Sequence, residues 1–176
     1  MLLTKTTEIA IQCLVLLSRM PKGTLITPQP ISMTLGSSES YTSKILRTLA
    51  KADLLESHRG ASGGFSLARD PSDITLLEVV EACEGAIIGN HCREFPNPEH
   101  VVRTCGFHQA MVQFQEGVKD LLRKWSVQDL ATRPLSDAKD APDCKLRRIL
   151  GAERTLPKRG SDSSLLSQPP IGSLRR

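Results

Sequence analysis

Hydrophobic and polar positions alternate along this chain in short, differently spaced blocks. Glu8 to Leu17 is almost unbroken in apolar residues (Ile9, Ala10, Ile11, Cys13, Leu14, Val15, Leu16, Leu17), and such a helix is buried only when neighbours cover several of its sides. A central helix is predicted. After Pro21-Lys22-Gly23, a short segment Gln29 to Leu35 stops at Gly36, and glycine takes the left-handed position that ends a helix at least cost. Ser37 and Ser38 stand where the next helix needs a cap, and Tyr41, Ile45, Leu46 and Leu49 then form one apolar face. Ser40, Ser43, Lys44, Arg47 and Lys51 occupy the rest. A short helix, a glycine turn and a second helix with a basic outer face is a helix-turn-helix arrangement, whose second helix enters a DNA major groove N-terminus first. On that reading the hydroxyls of Ser38, Ser40 and Tyr41 lie near base edges or phosphates, while Lys44 and Arg47 neutralise phosphates.

Two strand-like runs follow, Leu54 to His58 and Phe65 to Ala68, separated by the glycine-rich loop Arg59-Gly60-Ala61-Ser62-Gly63-Gly64. A nucleotide-binding loop would lead into a helix and carry a Lys-Ser/Thr pair, so the pattern predicts a wing. Arg59, at the base of that hairpin with Gly60 beside it, is placed to reach a minor groove. Thr75-Leu76-Leu77-Glu78 is a capping box, and Leu76, Val79, Val80 and Cys83 repeat at helical spacing until Gly85. This helix lies in an acidic stretch without a basic residue between Arg69 and Arg93, so its surface is expected to face away from DNA. Phe107, Met111, Phe114, Val118, Leu121 and Trp125 recur every three or four residues, a coiled-coil-like seam. Either the first helix covers that seam or a second copy of the chain does; a winged helix that packs its own core favours the dimer.

Charge and composition refine this picture. Residues 1–131 carry 13 Lys+Arg against 14 Asp+Glu, whereas residues 132–176 carry 10 against 5, so the basic excess belongs to the tail. That tail is rich in Pro, Ser and Gly, is expected to be disordered, and is suited to loose contact with phosphate backbone at most. Aromatics make up 3% of the chain, which suits a helical core of Leu, Ile, Val and Ala. The longest apolar run is far short of the roughly 20 residues of a membrane span, and the N-terminus has no export pattern, so a cytoplasmic location is expected. No nucleophile-base pair, phosphate loop or HEXXH motif points to an enzyme.

Five cysteines without the density of a disulfide scaffold read as reduced thiols or metal ligands. Cys13 and Cys83 fall on apolar helix faces, and Cys144 lies in the tail. Between the acidic helix and the seam, Cys92, Cys105, His91, His100 and His108 cluster in a stretch without clear periodicity. Thiolate and imidazole are the usual ligands of zinc and iron-sulfur clusters.

Taken together, the start Leu3-Thr4-Lys5, the segment Ser40 to Leu46, the wing Arg59 to Leu67 and the stretch Ile74 to Val80 resemble one family. It is the family of winged-helix transcription regulators typified by the iron-sulfur cluster regulator IscR and the nitric-oxide-sensitive repressor NsrR. The likeness runs from Leu3 to about Leu130. It implies three cysteine ligands before the dimerisation helix and a fourth ligand of another kind. Cys92 matches the first cysteine and Cys105 the third; Phe95 to Glu99 fills the place of the middle one. His108 matches a histidine ligand of one branch, and Glu8 falls where another branch supplies a carboxylate from the partner subunit. The resemblance therefore implies a [2Fe-2S] cluster on Cys92, Cys105 and His108 or Glu8, with a mononuclear zinc or iron site and a metal-free thiol sensor as alternatives.

The expected architecture is mostly α. A winged helix-turn-helix DNA-binding domain with a small two-stranded wing occupies residues 1–84, and a cysteine/histidine sensor loop residues 85–106. A long C-terminal dimerisation helix with its following turn spans 107–131, and a basic tail 132–176. The expected function is a homodimeric regulator, a repressor, that binds a roughly palindromic double-stranded DNA operator without a membrane. The contrasting expectation is a winged-helix protein-interaction module with structural zinc.

Overall fold

The computed structural model describes residues 3–60, 63–85 and 106–132. Helix α1 spans Lys5–Ser18 and is the centre of the core: Ala10, Cys13, Leu14 and Val15 are fully buried, and Ile9, Ile11, Leu16 and Leu17 nearly so. Its continuous apolar run is accommodated because neighbours close in from several sides, as the sequence pattern requires.

Helix α2, Pro28–Leu35, starts on a proline, whose missing N–H costs nothing in the first helical turn. It ends at Gly36, which is left-handed at φ 63° and ψ 39°. The turn is tied by Ser37 N donating to Ser32 O at 3.0 Å, and by a 2.7 Å bond between the hydroxyls of Ser37 and Thr42. Helix α3, Glu39–Lys51, is capped by Ser38, whose Oγ accepts from Tyr41 N at 3.3 Å. It buries Thr42, Ile45, Leu46 and Leu49 against α1 and α2. Its exit is a Schellman turn: Asp53 stands at φ 56°, its N–H bonds Ala50 O, and Leu54 N bonds Leu49 O.

Strands β1, Leu55–His58, and β2, Gly64–Leu67, pair antiparallel with Leu55 opposite Leu67 and His58 opposite Gly64. Ile26 adds a single-residue bridge on the far side of β2, exchanging both backbone bonds with Phe65 at 3.0 and 2.9 Å. The wing is therefore held on both edges of β2. Gly64 is required there, since a Cβ would sit 2.9 Å from Ile26 O.

A 3-10 turn at Pro71–Asp73 leads to helix α4, Leu76–Glu84, which opens on the expected capping box between Thr75 and Glu78. Burial pushes the Glu78 carboxyl up, but hydrogen bonds from Thr75 and the Arg69 guanidinium outweigh it and leave it below its ordinary range. Helix α5, Gly106–Arg123, carries the predicted seam. It stops short of Trp125, whose carbonyl instead accepts from Leu76 N at 2.8 Å. Helix α6, Val127–Thr132, then returns to the core, with Val127 fully buried and the helix packed on α1. Periodicity did not predict α6 as a separate helix. Its signal is Ser126-Val127-Gln128-Asp129, where Ser126 Oγ accepts from Asp129 N and the Asp129 carboxylate accepts from Ser126 N.

Along α5, Phe107, Phe114 and Leu121 are exposed by 64%, 55% and 58%, seven residues apart, with Met111 and Val118 half-buried beside them. The first helix does not cover this face. Among the described residues no helix is long and apolar enough to cross a membrane. The expectations for the sensor loop at 86–105 and the tail beyond Thr132 lie outside the described residues.

Candidate nucleic-acid interface

The glycine turn and the serine cap project the first turn of α3 from the core. Ser38 and Ser40 are exposed there with their hydroxyls 3.4 Å apart, and Lys44 and Arg47 are exposed further along the helix. Tyr41 differs from its neighbours. Its ring is half-buried against the core, and its hydroxyl is hydrogen-bonded to Thr6 Oγ1 at 2.9 Å, which ties it to α1.

Arg59 and Gly60 are exposed at the tip of β1, where Gly60 has φ 110° and accepts a 3.0 Å bond from Gly63 N. A Cβ on Gly63 would lie 2.3 Å from His58 O, so the loop closes only with glycine at that position. Between wing and α3 lies an open cleft of about 470 Å³ whose walls include Ser43 and Arg47 from α3 and Ser57, His58 and Arg59 from the wing. The fold thus brings Arg47 and Arg59, 12 positions apart in sequence, to one basic groove. Sequence reasoning did not single out His58, whose imidazole lies 3.4 Å from the Glu56 carboxylate. The signal that could have found it is its position directly before Arg59 in the wing strand.

The groove has the chemistry of a phosphate-rich ligand: guanidinium groups that bond phosphate oxygens in pairs, hydroxyls, and the positive end of a helix dipole. No acidic side chain is among its lining residues.

The candidate metal ligands are less completely placed. Glu8 is exposed on α1, where its carboxylate accepts from Lys5 Nζ at 2.7 Å and from Gln12 Nε2 at 3.1 Å. His108 belongs to the first turn of α5, while Cys92 and Cys105 lie outside the described residues. No group of three or more candidate ligands gathers among the described residues. The other two cysteines on helices are poor ligands. Burial, with Cys83 nearby, pushes the Cys13 thiol up to about 12. Burial also raises Cys83, with the Glu84 charge adding to it and a hydrogen bond with Thr7 opposing it. Both are protonated core thiols, whereas a ligand must be a thiolate. The donor chemistry of a cluster or zinc site therefore rests on Cys92, Cys105, His108 and Glu8, a set of thiolates, imidazole and carboxylate that fits either.

Comparison with known proteins agrees with this geometry. The chain is 33% identical over 151 residues to an HTH-type transcriptional regulator of Bacillus subtilis, YwgB, covering 82% of this chain and 94% of that protein. Among solved structures, CymR, the global cysteine regulator of Bacillus subtilis, superposes with a TM-score of 0.58 at 23% identity over 73% of this chain and 95% of its own. The T. potens IscR structure gives 0.55 at 22% identity, over 73% of this chain and 84% of its own. At those identities the structures speak for the winged-helix fold. The Rrf2 family model, described as an iron-dependent transcriptional regulator, matches residues 3–133. With a helix-turn-helix, a glycine-closed wing and that match over most of its length, the chain belongs to the Rrf2 family of transcriptional regulators.

Proposed function

We propose that this Rrf2 regulator is a homodimeric repressor that reads a roughly palindromic duplex, with α3 in the major groove and the wing in the flanking minor groove. The observation that carries this reading is the groove where Arg47 of α3 and Arg59 of the wing meet, next to the exposed hydroxyls of Ser38 and Ser40. Ser38 and Ser40 present donors and acceptors to base edges, Tyr41 holds the helix start in register, and Lys44 and Arg47 neutralise phosphates. Arg59 enters the minor groove, with Gly60 allowing the backbone to approach. The exposed heptad Phe107, Phe114 and Leu121 supplies the twofold contact that sets the distance between the two α3 helices.

A [2Fe-2S] cluster held by Cys92, Cys105 and either His108 or the partner's carboxylate at position 8 sets the affinity. When bound, it supplies an oxidisable, nitric-oxide-reactive centre. The chain contributes the coupling: the ligand segment joins α4 of the head directly to α5. Anaerobic reconstitution followed by visible spectroscopy and iron and sulfide assay tests this part, and a colourless, iron-free product refutes it.

DNA reading is tested by enriching a random-sequence duplex pool on the full-length chain and titrating the winner. Replacing Arg59 with Ala costs about 1 to 3 kcal/mol on the enriched duplex. Replacing Lys44 with Ala weakens all duplexes alike and lowers the salt slope by about one. Unchanged binding by Arg59→Ala would leave the interaction-module reading in its place.

A further inference from the structure

Helix α1 starts without help from its own cap: the Thr4 side chain makes no capping bond within the helix. The carboxylate of Glu84, the last residue of α4, takes that place. Its Oε1 accepts from Thr4 N at 3.0 Å, from Thr4 Oγ1 at 2.6 Å and from the hydroxyl of buried Thr7. The hydrogen bonds from Thr4 and then Thr7 hold the Glu84 carboxyl below its ordinary range. A carboxylate at the end of α4 opposes that helix's dipole, whereas at the start of α1 it complements the dipole. Glu84 is explained by α1 and not by its own helix.

The same turn of α1 reaches the other way. Thr6 Oγ1 lies 2.9 Å from the Tyr41 hydroxyl, in the first turn of α3. Thr4, Thr6 and Thr7 thus join the end of α4 to the start of α3 through side-chain bonds.

We propose that Glu84 is a positioning residue for DNA recognition: it clamps the first turn of α1, and through the Thr6–Tyr41 bond fixes the α3 turn that carries Ser38 and Ser40. This rests on the reading of α3 as the DNA-contacting helix. It also gives Glu84, which directly precedes the ligand-bearing segment in sequence, a bonded route of two steps to that helix.

Tyr41 is the only tyrosine of the chain, so tyrosine labelled with ¹³C at Cζ gives one assigned resonance in the full-length protein. Glu84→Gln keeps the shape and removes the charge. The expected result is a shifted Tyr41 resonance in Glu84→Gln that is not shifted further in a Thr6→Val background. Thr4→Val, which removes only one of the three bonds, moves the resonance in the same direction with smaller amplitude and serves if Glu84→Gln folds poorly. On the enriched duplex, Glu84→Gln loses affinity by on the order of fivefold, the low end of site-to-site couplings, with no further loss in a Tyr41→Phe background. A Glu84 that only supports the fold lowers the melting temperature and leaves the resonance in place; that outcome, or fully additive losses, overturns the clamp. A pool that yields no enriched duplex overturns the DNA reading itself, independently of the resonance.

Discussion

Replacing Phe114 with Ala removes the middle residue of the exposed α5 heptad. In the isolated chain Phe114 is 55% exposed, so of the roughly 200 Å² that a phenylalanine offers, about 110 Å² remains for a partner to cover. At about 25 cal/mol per Å², and allowing for the retained methyl, the loss is about 2 kcal/mol per protomer. A twofold interface presents the residue twice, giving about 4 kcal/mol, or on the order of a thousandfold in the dimer Kd. Because the side chain contributes little to the core of its own chain, the helical circular dichroism and the packing of α1 should be preserved. Sedimentation equilibrium over a range of protein concentrations reads the change directly. A dimer Kd within a few-fold of the wild type, in a folded variant, would show that the seam is not the interface.

Gly64→Ala sets a Cβ 2.9 Å from Ile26 O, and because both sides of that contact are backbone, a loss of about 1 to 3 kcal/mol is expected in urea denaturation. Asp53→Gly relieves a left-handed residue at φ 56° and should stabilise by about 1 kcal/mol; no gain would mean that the Asp53 side chain offsets its own backbone cost. Glu78 has a folded-state carboxyl below its ordinary range, so its contribution is present above the unfolded value and is lost as pH falls through the lowered one. Glu78→Gln should therefore flatten the acid limb of the stability profile while changing little in alkaline solution, as followed by thermal melts across pH.

Local chemistry made much of this fold legible before any coordinates. Gly36 had to end α2, Thr75 and Glu78 had to open α4, and a glycine-rich loop between two strand-like runs had to be a hairpin. Each of these depends on neighbours within a few residues. What escaped the sequence depends on distant partners. Ile26 looks like an ordinary loop residue until Phe65 pairs with it, and Glu84 looks like a solvated helix end until α1 is laid against it. Tyr41 was read on both the apolar face and the DNA-facing surface of its helix; its ring packs against the core and its hydroxyl reaches Thr6. Arg47 and Arg59 were each selected for charge alone, and only the approach of the wing to α3 makes them one groove.

The return of the chain to the core at Val127 alters what counts as the head of this protein. Val127 N bonds Ile74 O, Leu76 N bonds Trp125 O, and α6 rests on α1. The stretch from Gly85 to Lys124 is therefore an excursion that leaves from one end of α4 and rejoins at the other, not an appendage hung on a finished domain. Truncation after Arg123 would strip a buried valine from the core and open the domain that reads DNA. Lineages can rewrite the excursion, its ligands and its pairing seam, while both anchor points stay in place. A division of labour of this kind lets one DNA-reading head be refitted with new sensors without being folded anew.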